Sequence, residues 1–95
     1  MFAEYFVVKI VPEKRDEVFK MWDGVAELLK TKKGFKNSVL LYNKDKNEYG
    51  HLDLWETGED FYAYLESLPE DYKQQVISLF AEPPVRQTYE VYGQI

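Results

Sequence analysis

His51 is the only histidine in the chain, so any imidazole chemistry must use it. It lies in Tyr49-Gly50-His51-Leu52-Asp53-Leu54-Trp55-Glu56. Alternation of period two puts Tyr49, His51, Asp53 and Trp55 on one face of a strand and Leu52 and Leu54 on the other. Same-face neighbours in a strand stand roughly 6.5 to 7 Å apart at Cα. If that face lies under helices, Asp53 can fix the imidazole and tune its basicity for proton transfer, with Trp55 as a wall beside them. His51 and Asp53 are therefore the candidate catalytic pair. The competing reading is that both are satisfied strand polar groups, and that Trp55 is core packing rather than a pocket wall.

Other chemistries find no support in the sequence. The absence of cysteine removes disulfides, thiolate nucleophiles, iron-sulfur clusters and thiolate zinc sites together. One histidine with scattered carboxylates lacks clustered ligand spacing, so no metal site is expected. Glu56, Glu59, Asp60, Glu66, Glu70 and Asp71 read as a solvated helix face. No Gly-rich phosphate loop or Ser-centred elbow is present. Twelve basic against seventeen acidic residues give a net charge of -5 with no basic stripe, which argues against nucleic acid and anionic membranes as partners. An aromatic share of 17% is high enough to prompt a search for a cavity that takes a flat ligand.

The 95 residues are the length of one domain, 1–95, and no apolar run approaches the roughly 20 residues of a membrane span. The opening residues show no basic segment before the apolar stretch and no small-residue cleavage site, so a cytoplasmic protein is expected. Residues 2 to 11 are β-branched or aromatic at most positions and stop at Pro12, as a strand does before a helix. A first helix is predicted over about 13 to 32, with Val18, Trp22, Val25 and Leu29 on its apolar stripe and Gly34 beyond its end. Strands at 35–42 and 48–56 flank the polar turn 43–47, which makes a hairpin. Thr57-Gly58-Glu59-Asp60 resembles a capping box and opens a second helix. Pro69 breaks that helix, Glu70 and Asp71 restart it, and Tyr72, Val76, Leu79 and Phe80 carry its stripe towards Pro83-Pro84. Residues 85–91 form the last strand. The order β-α-β-β-α-β predicts an α+β, ferredoxin-like fold with a four-stranded antiparallel sheet. Both faces of the first strand are apolar while helices cover only one. A second copy packed sheet to sheet is the simplest cover, hence an expected homodimer.

The run Leu54-Trp55-Glu56-Thr57-Gly58-Glu59-Asp60-Phe61, with Gly34-Phe35 after the first helix and Pro83-Pro84 before the last strand, resembles the antibiotic biosynthesis monooxygenase domain of the dimeric α+β barrel superfamily. The resemblance implies a dimer with one pocket per protomer between sheet and helices. In the polyketide-type oxygenases of this family, the pocket holds the strand Trp, an Asn four residues before it and an aromatic hydroxyl after it. Here Trp55 matches, His51 stands at the Asn position and Phe61 at the Tyr position, with Tyr62 or Tyr64 left to supply a phenol. The haem-degrading branch uses an axial His on the second helix, where this chain has none, which argues against haem.

Together these readings predict a small dimeric oxygenase that acts, without a bound cofactor, on a flat hydroxylated aromatic of quinol or anthrone type. His51 and Asp53 would be catalytic; Trp55, Phe61 and Tyr64 would bind the substrate. The rival reading is a non-catalytic dimeric binding or stress-response module of the same fold that holds a small aromatic in the same pocket and releases it unchanged.

Overall fold

The computed structural model describes residues 1–95. Strand β1 (Phe2–Lys9) stops where Pro12 removes a ladder donor, and a 3-10 turn over Pro12–Lys14 leads into helix α1 (Arg15–Leu29). Strands β2 (Phe35–Asn43) and β3 (Glu48–Trp55) form the expected hairpin. Asn47, at φ 52, takes the left-handed turn position that asparagine tolerates. Helix α2 (Gly58–Ser67) is capped by Thr57, whose hydroxyl accepts from the Asp60 amide at 3.1 Å. Pro69 then separates α2 from helix α3 (Glu70–Ile77), and strand β4 (Val85–Glu90) closes the chain. All three strand pairings are antiparallel and the sheet order is β2-β3-β1-β4, the ferredoxin-like α+β arrangement predicted.

Two boundaries differ from expectation. The α-helical part of the first helix is Arg15–Leu29, and Lys30, Lys32 and Lys33 lie in the turn beyond it, where the Thr31 hydroxyl donates to the Leu28 carbonyl at 2.7 Å. Gly34 follows at φ 83, the left-handed exit that glycine makes at no steric cost. Helix α3 ends at Ile77 rather than near Pro83. Competition from the sheet explains the early stop. Phe80 bridges to Ile10, the Val11 amide donates to the Leu79 carbonyl, and the Ala81 amide donates to the Lys9 carbonyl at 2.8 Å.

The core has two aromatic-rich groups between sheet and helices. One joins Ile10, Val18, Trp22, Tyr49 and Leu79; the other joins Phe2, Leu29, Trp55 and Phe61. The opposite sheet face has no covering element. Register aligns Val39, Leu52 and Tyr5 in one row and Leu41, Gly50, Val7 and Val85 in the next. Val39 is 52% exposed and Val85 54%, so an apolar face meets solvent in the isolated chain. No helix is long and apolar enough to cross a membrane.

Candidate active site

The sheet face under the helices carries the chemistry. Register places Glu4 of β1 directly beside Asp53 of β3, and Asp53 beside Ser38 of β2; one row along, Phe6 pairs with His51 and with Arg86 of β4. Period-two alternation puts all of these side chains on one face, so four adjacent strands each contribute a polar group. A cavity of about 420 Å³ opens over them. Thirteen of its nineteen lining residues are hydrophobic, and the charged or titratable groups among the rest are Glu4, His51, Asp53, Arg86 and Lys73. This is a mostly apolar pocket with a small convergent polar floor, the usual form of a small-molecule site.

The imidazole is held on several sides. Its Nε2 lies 2.6 Å from Glu4 Oε1 and 3.6 Å from Asp53 Oδ2. The ring stacks on Phe6 at 5.1 Å between centroids with 13° between planes, and meets Trp22 edge-on at 4.8 Å. With Glu4 ionised, Nε2–H donates to it and Nδ1 keeps the free lone pair. Nδ1 is buried and has no hydrogen-bond partner. The other carboxylate oxygens are taken from outside the cluster. Arg86 Nε stands 2.7 Å from Glu4 Oε2, close enough for a strong charge contact though off-axis for a hydrogen bond, and its guanidinium lies over the Phe6 ring. The Ser38 hydroxyl donates to Asp53 Oδ1.

Burial sets the protonation behaviour. It pushes the Asp53 carboxyl above its usual range, and the nearby Glu4 charge adds to the rise, while His51, the Ser38 hydroxyl and Arg86 partly oppose it. The Tyr64 phenol is also driven up, first by burial and then by Tyr72, Asp53 and Glu4, so it stays neutral and serves as a donor rather than a base.

The predicted residues separate into two groups. His51 and Asp53 meet on the cavity floor, and Phe61 and Tyr64 line its wall. Trp55 is sealed in the core, 0% exposed, among Phe35, Phe61 and Tyr64, and is not part of the lining. Tyr62 is half exposed and packs on Phe2 and Phe61 away from the cavity, so of the two candidates Tyr64 is the one that lines it, together with Tyr72 of α3. Sequence reasoning missed Glu4, Arg86 and Ser38. Glu4 had a readable signal: it is the one charge in Phe2-Ala3-Glu4-Tyr5-Phe6, and alternation puts it on the face of Phe2 and Phe6. Arg86 and Ser38 sit in ordinary strand sequence and only register reveals them. Register also supplies the clustering that linear spacing lacks, since one ligand-type atom from each of Glu4, His51 and Asp53 lies within 4.8 Å of the other two.

No protein-family model matches the chain. No curated protein matches it in sequence. Solved structures do match it in three dimensions. A Nitrosomonas europaea protein provisionally assigned as an antibiotic biosynthesis monooxygenase superposes with a TM-score of 0.85 at 15% identity, over 96% of this chain and 89% of that one. The ActVA-Orf6 monooxygenase of Streptomyces coelicolor, solved with nanaomycin D, gives 0.79 at 17% identity, over 99% and 89%. The chain has the antibiotic biosynthesis monooxygenase fold. The heme-degrader MhuD of Mycobacterium tuberculosis, solved with two hemes in its active site, shares the same fold at a TM-score of 0.69 and 18% identity, over 100% and 99%. At such identities the antibiotic biosynthesis monooxygenase fold is what is shared, and the chemistry must be argued from this chain's own cavity.

Proposed function

We propose that the protein is a cofactor-independent monooxygenase of small, flat, hydroxylated aromatics of quinol or anthrone type. The observation that carries this reading is the Glu4–His51 pair, 2.6 Å apart on the floor of an otherwise apolar cavity. A ring entering the cavity is desolvated by Phe6, Trp22, Phe61 and Phe80, while its hydroxyl reaches the polar floor. His51 takes the proton, with Glu4 stabilising the imidazolium that forms. The electron-rich anion then reacts with oxygen directly. An anthrone methylene becomes a carbonyl, one oxygen atom enters the product and the other leaves as water with the two displaced hydrogens. The protein's part is to bind, desolvate and deprotonate. Asp53 is a secondary polar contact, Phe61 and Tyr64 hold the ring, and Trp55 acts from behind the wall by fixing those two.

The donor set does not suit haem. His51 is the only imidazole, its Nε2 faces Glu4 and its ring is packed between Phe6 and Trp22. A second copy covering the open sheet face completes the proposed protein as a homodimer. The direct test is oxygen uptake by the purified protein over a panel of quinols and anthrones, with product mass read in parallel. Enzyme-dependent uptake with a product that has gained one oxygen supports the reading. Tight ligand binding with no uptake across the panel overturns it in favour of the binding module.

A further inference from the structure

We propose that Glu4, His51 and Asp53 form a binding site for a first-row divalent cation, zinc being the best-matched ion, with its open coordination position facing the cavity. The arrangement of the carboxylate oxygens carries the inference. Each carboxylate has one oxygen engaged by a residue outside the triad: Arg86 holds Glu4 Oε2 and Ser38 holds Asp53 Oδ1. The remaining oxygens, Glu4 Oε1 and Asp53 Oδ2, both turn to His51 Nε2, at 2.6 and 3.6 Å. This is the outer-shell pattern that orients metal ligands, with each ligating carboxylate fixed through its second oxygen. Arg86 therefore orients Glu4 from behind and does not occupy the position a cation would take.

The spacing suits a small ion. Donors at about 2.1 Å from a tetrahedral zinc lie roughly 3.4 Å from one another. Glu4 Oε1 and His51 Nε2 need to part by under an ångström, and Asp53 Oδ2 is already near the required distance. The third separation is bounded by the 4.8 Å that spans the set. The metal-bound form would be a separate state from the metal-free one in which His51 acts as base: the cation would replace the proton shared between Glu4 and His51, with the imidazole proton moving to Nδ1. One imidazole with two carboxylates favours zinc, manganese or iron over the oxygen-only sites of calcium and magnesium. Glu4 and Asp53 side chains are 2% and 5% exposed, so two buried carboxylates converge on one imidazole at the floor of the cavity. Three protein donors leave a fourth position for water or for the hydroxyl of a bound ligand, as in catalytic rather than structural zinc sites.

The test uses the full chain stripped with chelator, titrated with zinc chloride by calorimetry and with cobalt chloride by visible absorption, so the readout is independent of any oxygenase activity. Wild type should bind one ion per chain and give the d–d bands of low-coordinate cobalt. His51→Ala and the isosteric Asp53→Asn, each shown to be folded by circular dichroism, should weaken binding by more than about 100-fold, and Ser38→Ala by about 10- to 100-fold through its outer-shell contact. Absence of stoichiometric binding in wild type overturns the proposal. So does binding that survives unchanged in folded His51→Ala or Asp53→Asn, since the ion would then sit elsewhere. Failure here leaves the oxygenase reading standing, because oxygen uptake is measured without added metal.

Discussion

Glu4 holds a buried charge in an apolar strand because each of its oxygens has a positive or proton-bearing neighbour, Arg86 on one side and His51 on the other. Removing it leaves both unpaired. Glu4→Ala should cost about 3 kcal/mol by urea unfolding, the low end for a broken buried pair because the Arg86 side chain is 45% exposed. Asp53 behaves differently. Its carboxyl is raised in the folded protein, so folding takes up a proton there: its favourable contribution is complete below about pH 4, its ordinary unfolded range, and is lost as pH rises through the folded value. Asp53→Asn, which keeps an acceptor for Ser38, should therefore be more stable than wild type at pH 8, with the gain shrinking as pH falls towards 4. Unfolding curves at both pH values check the sign. At this scale the sequence was half legible. Alternation alone placed His51 beside Asp53, but their partners came from three other strands, and residue spacing along one strand carries no information about register across a sheet.

Elements hold these residues in place through their ends as much as through their stripes. Thr57 starts α2 at the end of β3, and α2 in turn supplies Phe61 and Tyr64 to the cavity wall. Thr57→Ala should lower stability by about 1 kcal/mol, with thermal unfolding as the measure. Gly34 ends the turn after α1 at φ 83, where an added Cβ would run into the Asp60 side chain. Gly34→Ala should cost about 1 to 3 kcal/mol from the backbone conformation, with the crowding against Asp60 in addition. Periodicity and capping made the helices, the hairpin and the break at Pro69 readable. The end of α3 was not readable, because Leu79 to Ala81 follow an apolar helical stripe in sequence yet are captured by β1 through backbone pairing. A long-range hydrogen bond outcompeted a local pattern.

At the scale of the whole molecule, the two faces of the sheet differ in what covers them. One face is covered by three helices around a cavity; the other presents Val39 and Leu41 of β2, Leu52 of β3, Val7 of β1 and Val85 of β4 across the four strands. The apolar content of both faces of β1 was legible in the sequence, and the expected homodimer is drawn from it. A homodimer through this face predicts that Leu52→Glu, placed at the centre of the patch, yields monomers in light scattering at concentrations where wild type is dimeric. Retention of the wild-type mass would move the interface elsewhere. The sheet's other face carries the central claim, that the Glu4–His51 pair at the cavity floor takes a proton from a hydroxylated aromatic so that oxygen can attack it. The most direct measurement is the turnover number for oxygen uptake on a quinol or anthrone substrate in wild type and His51→Ala, with substrate affinity measured in parallel. The account predicts a fall of about 10²- to 10⁴-fold in turnover with affinity little changed; equal turnover in the two proteins would contradict it.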